Sequence, residues 1–190
     1  MSEAPEADAE LLRRYAAGDA LAYELLYRRH ELRIWRYLER HVGERELAEE
    51  LMQEVWFAVA REAPRYQPRA KFTTWLFTIA HHRVVDALRS RRGHESLEEL
   101  DPEGEGWLAQ LATEPGAGPL AEVMSRDQAQ ALRRAMSLLP LEQRDAFLLH
   151  IEGDLAVEDV AAVTGCPAET TKSRLRYARS KLRELLKEHA

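Results

Sequence analysis

Residues 155–182 read LAVEDVAAVTGCPAETTKSRLRYARSKL, and this is the most informative segment of the chain. A short apolar stretch, Val157–Val163, leads into Thr-Gly-Cys-Pro, and a long basic stretch then begins at Ala168. Gly165 permits the positive φ that a tight turn between helices needs, and Pro167 suits the start of a helix. This pattern is typical of a helix-turn-helix, whose second helix enters the major groove of DNA. An ordinary helical hairpin with a charged outer face has the same spacing, so the segment alone leaves both interpretations open.

The basic stretch has two faces when it is drawn as a helix. An apolar stripe repeats every three or four residues, which is the spacing of a buried helix face: Leu175, Ala178, Leu182 and Leu185. The polar side chains of the first turns lie on the other side, where a recognition helix meets DNA and where helix N-termini favour phosphate. The side chains that we expect there are Glu169, Thr170, Lys172, Ser173, Arg174, Arg176 and Tyr177.

Charge is distributed unevenly along the 190 residues, although the net charge is −6. Residues 71–92 carry five bases and one acid, and residues 168–187 carry seven bases and two acids. Residues 94–127, between them, carry nine acids and one base. Two separate basic segments make binding of a polyanion plausible in an acidic chain. Solvation of exposed helix faces explains either segment equally well when it is taken alone.

The rest of the chain shows helical periodicity and almost no strand signal. The predicted fold class is all-α: two small helical domains joined by a flexible acidic linker, the second domain with a helix-turn-helix. The linker interpretation rests on five glycines and three prolines within residues 93–119. We expect the first domain at 8–92, the linker at 93–127 and the second domain at 128–188.

Within the first domain, the apolar spacing predicts four helices. Asp19 is a good N-cap for the second, and Thr73 or Thr74 for the fourth. Their expected positions are residues 11–18, a segment from Asp19 to Gly43, residues 46–61, and a segment from Thr73 or Thr74 to about Arg91. In the second domain we expect helices near residues 120–137, 141–152, 157–163 and 168–188.

Several classes of protein are excluded or disfavoured. The single cysteine, Cys166, excludes an internal disulfide and a multi-cysteine zinc site. An acidic N-terminus without a basic residue predicts no signal peptide, and short apolar runs predict no membrane insertion, so we expect a cytoplasmic protein. No phosphate-binding glycine loop or nucleophile elbow is present. We therefore expect no enzyme, no catalytic residue, no metal site and no cofactor.

Two parts of the chain resemble a known family. Residues 48–56, AEELMQEVW, and 72–89, FTTWLFTIAHHRVVDALR, resemble the first conserved domain of bacterial sigma factors of the extracytoplasmic-function group. Residues 138–147, LLPLEQRDAF, and 153–183 resemble the second domain. The resemblance implies a non-catalytic subunit that binds core RNA polymerase and directs promoter recognition and transcription initiation. Many members of the group are held inactive by an anti-sigma factor, which adds a further expected partner to core polymerase and promoter DNA.

The resemblance also implies roles for particular residues. The helix at residues 48–56 aligns with the one that docks on the clamp of the polymerase, and the implied contacts are Glu49, Glu50, Gln53 and Glu54. Residues 72–92 align with the helix that faces the minus-10 sequence, and the loop at residues 65–71 comes before it. The implied contacts are Arg65, Lys71, Trp75, His82, Arg83, Asp86 and Arg89. Residues 169–177 align with the helix that reads the minus-35 sequence.

The chain departs from the family pattern at three places. His81 and His82 stand where a basic residue and asparagine are usual, Ala156-Val157 replace Ser-Tyr, and residues 169–171 replace Gly-Thr-Val. Two other functions fit parts of the sequence: a self-sufficient helix-turn-helix regulator, and an enzyme with a metal held by His81, His82 and Asp86. The acidic helix followed by the basic helix favours the sigma factor, because a ligand-sensing domain needs neither.

Overall fold

The structure is a computed structural model that describes residues 7–95 and 126–187, with side chains described over 7–91 and 130–187. In these ranges it contains α-helices and one short 3-10 helix, Ala63–Arg65, and no strand. None of the helices in the described ranges is long and apolar enough to cross a membrane. The α-helices are α1 (Asp8–Ala16), α2 (Ala20–Val42), α3 (Arg45–Glu62), α4 (Phe72–Glu95), α5 (Arg126–Ser137), α6 (Leu141–Ile151), α7 (Val157–Thr164) and α8 (Ala168–Lys187).

Helices α1–α4 form the N-terminal domain around a common apolar core. The Asp19 side chain accepts hydrogen bonds from the backbone N–H groups of Leu21 and Ala22, which confirms it as the N-cap of α2. Gly43 ends α2 in the left-handed conformation, with φ 72°. The buried apolar residues of this domain include Leu11, Leu26, Ile34, Val55, Leu76 and Phe77.

The beginning of α4 differs from the prediction. The helix starts at Phe72, so Thr73 and Thr74 lie within its first turn, and neither precedes it as an N-cap. Thr74 is buried, and its hydroxyl donates a 3.2 Å hydrogen bond to Asp159 of α7. A threonine before an apolar run predicts an N-cap from local sequence. The position of Thr74 depends instead on its hydrogen bond to Asp159, which lies 85 residues further along the chain.

The helix before the segment expected as a linker is longer than predicted. Helix α4 continues to Glu95, beyond the expected end near Arg91, and α5 is already formed at Arg126. The ends of the expected linker, 93–95 and 126–127, are therefore helical. Its remaining part, 96–125, lies outside the described residues, as does the start of the helix expected from residue 120.

Helices α5–α8 form the C-terminal domain, in which α7 and α8 have the predicted helix-turn-helix order. Gly165 adopts φ 65°, and the backbone N–H of Cys166 closes the turn onto the carbonyl oxygen of Ala161 at 3.1 Å. Leu175, Ala178 and Leu182 are buried, which confirms the inward stripe of α8. The two domains pack against each other, α4 against α7, and α2 against α5 and α6.

Candidate functional site

One face of α3 borders an apolar groove on the N-terminal domain. The groove has a volume of about 450 Å³ and lies between α2 and α3. Its walls are Tyr27, Leu32, Trp35 and Met52, and its rim is formed by Glu31, Glu49 and Gln53. Leu32 is 43% exposed, so apolar surface is accessible to a partner. Two of the four α3 residues expected to contact polymerase, Glu49 and Gln53, thus share one groove.

The other two expected contacts lie on a different side of α3. Glu50 and Glu54 line an acidic cleft of about 710 Å³ between α3 and α4. The Glu54 carboxylate lies 3.6 Å from Arg83, and Glu44 at the edge of the cleft pairs with Arg91. The structure therefore does not bring the four residues into one patch. The cause is helical phase, since residues four apart share a face and adjacent residues lie 100° apart.

Six of the seven residues expected to face the minus-10 sequence fall into three groups. His82, Asp86 and Arg89 are exposed and lie at helical spacing along α4. Arg65 and Lys71 are exposed near the start of α4, and Lys71 lies 3.5 Å from Asp159 of the C-terminal domain. Arg83 points towards α3 and Glu54, as described above.

Among the described residues, no cluster of three or more histidine, cysteine or acidic side chains is suited to a metal ion.

Trp75, also expected to contact the minus-10 sequence, belongs to an aromatic cluster at the start of α4. Its ring lies 4.8 Å from the ring of Tyr66 and 5.7 Å from that of Phe72, measured between centroids. Trp75 and Tyr66 are half-buried and Phe72 is buried. Burial, together with the charge of Asp8, raises the pKa of the Tyr66 phenol. These ring contacts hold the loop before α4 against the helix, and Trp75 remains partly accessible.

The outward face of α8 carries most of the residues expected to read the minus-35 sequence, and several already have partners. Lys172 donates to Glu169 at 2.6 Å, and the Ser173 hydroxyl donates to the carbonyl oxygen of Thr170 at 2.8 Å. The Arg176 guanidinium lies 5.1 Å from the centroid of the Tyr177 ring, a cation–π contact. Both Arg176 and Tyr177 are exposed.

Arg174 does not have the outward position expected from the sequence, since it lies on the side of α8 that faces the turn and the N-terminal domain. It is half-buried and donates to the Cys166 sulfur at 3.4 Å. Burial alone would raise the pKa of the Cys166 thiol, but contacts with Thr164, Thr171 and Arg174 lower it overall. Arg174 also lines a cavity of about 310 Å³ together with Arg89 of α4.

A buried polar cluster joins the two domains, and no local pattern in the sequence predicts it. Tyr37 of α2 donates to Asp145 of α6 at 2.7 Å. His81 Nδ1 and His41 Nε2 lie 2.9 Å and 3.3 Å from the two Asp145 carboxylate oxygens. The other ring nitrogen of His41 lies 2.8 Å from the carbonyl oxygen of Tyr37, so that nitrogen carries a hydrogen.

The cluster perturbs the ionisation of its members. Burial alone would raise the pKa of Asp145, but the hydrogen bonds and charges of His41 and His81 lower it well below its usual value. Burial, with the nearby Asp145 charge, raises the pKa of Tyr37 well above its usual value. The sequence signal was weak because tyrosine and histidine at helical spacing are equally typical of a plain core, and Asp145 lies 108 residues from Tyr37.

Comparison with known proteins identifies both domains. Residues 26–94 match the family model for sigma-70 region 2, and residues 129–182 match the model for sigma-70 region 4. The RNA polymerase sigma factor CarQ of Myxococcus xanthus is 31% identical over 181 residues, which cover 93% of this chain and 96% of CarQ. The ECF RNA polymerase sigma factor RpoE of Cereibacter sphaeroides is 34% identical over 167 residues, 87% of each chain.

A solved structure shares the two-domain arrangement of helices. The sigma factor RpoE of Bartonella quintana, solved in complex with the anti-sigma factor NepR, is 26% identical. The match has a TM-score of 0.65 and covers 81% of this chain and 89% of that one. The helix-turn-helix and the preceding helical domain define an RNA polymerase sigma factor, a class of protein that directs transcription initiation and is not a catalyst. The chain belongs to the extracytoplasmic-function (ECF) group of the sigma-70 family.

Proposed function

We propose that this sigma factor docks on core polymerase through α3 and contacts promoter DNA through α4 and α8. The observation that supports it most directly is the division of charge among exposed helices. The outer faces of α3 carry Glu49 at the rim of the apolar groove and Glu50 and Glu54 in the acidic cleft, whereas basic side chains are concentrated on α4 and α8. An acidic face with apolar surface suits a basic protein partner, and the basic helices suit phosphate.

The minus-10 contacts that we propose are the exposed side chains of α4 and of the loop before it, with Trp75 as a stacking surface for an unpaired base. The minus-35 contacts are those of α8, from Glu169 to Tyr177. Phosphate contacts supply affinity and base-edge contacts supply sequence preference. The chain needs no catalytic group for this role, because the polymerase performs the chemistry, and it acts in the cytoplasm with that enzyme.

The test of the polymerase contact uses the two sides of α3. The paired variant Glu49→Lys/Gln53→Lys alters the rim of the groove between α2 and α3. The paired variant Glu50→Lys/Glu54→Lys alters the acidic cleft next to α4. Each is competed against the unchanged protein for core polymerase, and transcription from a cognate promoter is measured in parallel. We expect both pairs to weaken core binding, with the groove pair more severe because accessible apolar surface adjoins it.

Exposed helix charges contribute little to stability, so both pairs are expected to stay folded. The control is Glu24→Lys, an exposed acid on α2 that pairs with Arg28. Circular dichroism checks that all three variants keep their helix content. Unchanged core affinity in both pairs would remove α3 from the interface and contradict the proposed docking.

We also include an anti-sigma factor among the partners of this chain. The solved relative from Bartonella quintana was captured with such a factor. A groove that accepts the polymerase also offers apolar surface to an inhibitor. The Glu49→Lys/Gln53→Lys pair is expected to weaken binding of a co-purifying inhibitor as well as of core polymerase. An inhibitor that binds this pair normally would dock elsewhere.

A further inference from the structure

The first helix of the chain packs against the start of the loop that precedes α4. Helix α1 contacts the 3-10 helix Ala63–Arg65, from which the loop at residues 65–71 continues. Ala63 is buried, whereas residues 67–71 are exposed. The backbone N–H of Tyr66 donates to the carbonyl oxygen of Ala63 at 3.2 Å, a local bond that ties the loop to no other helix. The position of the loop therefore depends on side-chain packing.

Aromatic rings supply that packing. The ring centroid of Tyr66 lies 4.8 Å from that of Trp75 and 6.3 Å from that of Phe72. Phe72, in turn, lies 5.3 Å from the ring of His30 of α2. The Tyr66 hydroxyl is buried and has no hydrogen-bond partner among the described residues, so ring contacts hold this side chain. A continuous path of rings thus runs from the loop through Phe72 to His30.

The His30 ring is oriented by Asp8, the first residue of α1. His30 Nε2 lies 2.8 Å from Asp8 Oδ2, and His30 is 4% exposed. Its other ring nitrogen, Nδ1, is buried and has no hydrogen-bond partner within the described part of the chain. A carboxylate that accepts from one ring nitrogen fixes both the tautomer and the orientation of a histidine. Within the described residues, Asp8 is therefore the group that orients this ring by hydrogen bonding.

Asp8 itself is held in place and kept charged. Its Oδ1 accepts a hydrogen bond from Arg29 Nη1 at 2.8 Å. Burial alone would raise the pKa of Asp8, but the hydrogen bonds and charges of His30 and Arg29 lower it overall. A charged carboxylate forms stronger hydrogen bonds than a neutral amide does in the same place. Asp8→Asn therefore weakens the hold on His30 with almost no change in the shape of the side chain.

We propose that Asp8 is a positioning residue for recognition of the minus-10 sequence, which acts through His30 and Phe72 on the loop before α4 and on Trp75. This inference rests on the proposed function, because that loop and Trp75 are the proposed contacts of the minus-10 sequence. The Asp8 side chain is 22% exposed, and both of its oxygens are engaged by groups of α2. Its effect on DNA is therefore indirect, through the position of the aromatic rings.

The first measurement follows the loop in the free protein. Hydrogen exchange detected by mass spectrometry is read on a peptide that covers residues 63–76, which includes the N–H groups of Tyr66 and Trp75 that donate to Ala63 and Lys71. Asp8→Asn is expected to speed exchange there about fivefold, because the rings that hold the loop lose their support. His30→Gln removes a ring from the same path and is expected to act in the same direction. It keeps the test decisive if Asp8→Asn fails to fold, which circular dichroism reports.

The second measurement asks whether the position of the loop affects promoter choice. Libraries of minus-10 variants and of minus-35 variants are transcribed with core polymerase and each protein. Asp8→Asn is expected to lower output from the cognate promoter about fivefold and to change the ranking of minus-10 variants, while the ranking of minus-35 variants stays the same. Loss of folded protein scales every promoter alike, so a changed ranking distinguishes positioning from general destabilisation. Affinity for core polymerase, measured by competition, is expected to stay unchanged.

Glu10→Gln is the matched control. It makes the same change of charge on the same helix, at an acid whose partner, Arg13, also belongs to α1. It is expected to leave both the exchange of residues 63–76 and the ranking of promoters unchanged. An effect of Glu10→Gln equal to that of Asp8→Asn would overturn the inference, because the charge of α1 and not the contact with His30 would then be responsible.

Two further results would overturn the positioning role: unchanged exchange in both Asp8→Asn and His30→Gln, or faster exchange with an unchanged ranking of minus-10 variants. Failure of the proposed function would look different, and Trp75→Ala separates the two. If Trp75→Ala also leaves the minus-10 ranking unchanged, the start of α4 does not contact that sequence. If Trp75→Ala changes the ranking and Asp8→Asn does not, the positioning role alone is rejected.

Discussion

Asp145 makes the stability of the domain contact depend on pH. Its pKa is lowered from the ordinary value of 3.8 by His41 and His81, despite burial, so the packed arrangement of the two domains favours the charged carboxylate. A lowered pKa contributes stability that is fully present above about pH 4 and is lost as the pH falls through the lower, folded-state pKa. Tyr37 also faces this carboxylate, and Glu142, Arg89 and Arg174 line the cavity beside it.

We therefore predict that Asp145→Asn destabilises the packed chain by about 3 kcal/mol at pH 6, and that this difference shrinks as the pH falls from 4 towards 2. Urea unfolding of both proteins across this range, followed by circular dichroism, measures it. Other carboxylates titrate in both proteins and cancel in the comparison. A difference that is independent of pH would show that the charge of Asp145 is not what stabilises the contact.

Replacement by alanine is expected to reduce the stability of the fold by different amounts at two glycines of the C-terminal domain. Gly165 has φ 65°, but no heavy atom lies within 4 Å of an added Cβ, so only the backbone opposes the change, by about 1–2 kcal/mol. At Gly153 an added Cβ lies 2.3 Å from the carbonyl oxygen of Leu149, a backbone atom that cannot move alone. We predict that Gly153→Ala lowers the free energy of unfolding by about 3 kcal/mol and is the more destabilising of the two substitutions. Thermal unfolding of the two variants ranks them, and the reverse order would contradict the steric argument.

At the scale of the helix, sequence periodicity predicted most of the fold. The apolar spacing of α3 and α8 located both helices to within one residue at each end. Spacing was less informative about the site, because it predicts Glu49 and Glu50 on one acidic helix without separating them. In the structure Glu49 borders the groove between α2 and α3, whereas Glu50 lines the acidic cleft between α3 and α4. A helical wheel separates them, but the groove itself depends on Trp35 and Tyr27 of another helix.

The contact between the domains was not predictable from local pattern. Tyr37 and Asp145 are 108 residues apart, and each also fits the interior of its own helix bundle. Periodicity reports which face of a helix is buried, whereas the identity of the partner depends on tertiary packing. Thr74 illustrates the same limit, since its partner Asp159 belongs to the other domain.

Two basic residues of α8 are expected to act differently on promoter DNA. Bidentate arginine–guanine contacts discriminate between bases by about 1–3 kcal/mol, whereas phosphate contacts add affinity without sequence preference. We predict that Arg174→Ala changes the tolerated minus-35 sequence and lowers output, while Lys172→Ala lowers output evenly. Lys172 already pairs with exposed Glu169, which suits a position at the rim of the interface.

A library of promoter variants, transcribed with core polymerase and each variant protein, measures both effects. Equal scaling of every promoter by Arg174→Ala would make Arg174 a phosphate contact. The Cys166→Ser chain is the control, because it alters the partner of Arg174 in the free protein and leaves the arginine itself in place.

At the scale of the whole molecule, two features oppose DNA binding: the net negative charge and the packing of the two domains against each other. The chain carries −6 overall, which repels a polyanion at long range. Lys71 is paired with Asp159, and Arg174 faces the cavity between the domains, so two cations meet protein groups while the domains are packed together. Separation of the domains exposes them without any change in net charge. We therefore expect the affinity for DNA to depend on the arrangement of the domains as well as on composition.

This argument predicts a difference in salt dependence. The slope of log affinity against log salt is about −0.9 for each phosphate neutralised on duplex DNA. We expect the free, unchanged protein to bind a promoter duplex weakly and with a shallow slope. Asp145→Asn should bind more tightly and steepen the slope by about 1–2, because the Lys71 and Arg174 cations become available. Fluorescence anisotropy between about 50 and 200 mM salt measures both slopes, with Asp154→Asn as the charge-matched control. Tighter binding with an unchanged slope would mean that the newly exposed contacts are not cationic, and the two basic residues would lose the role assigned to them.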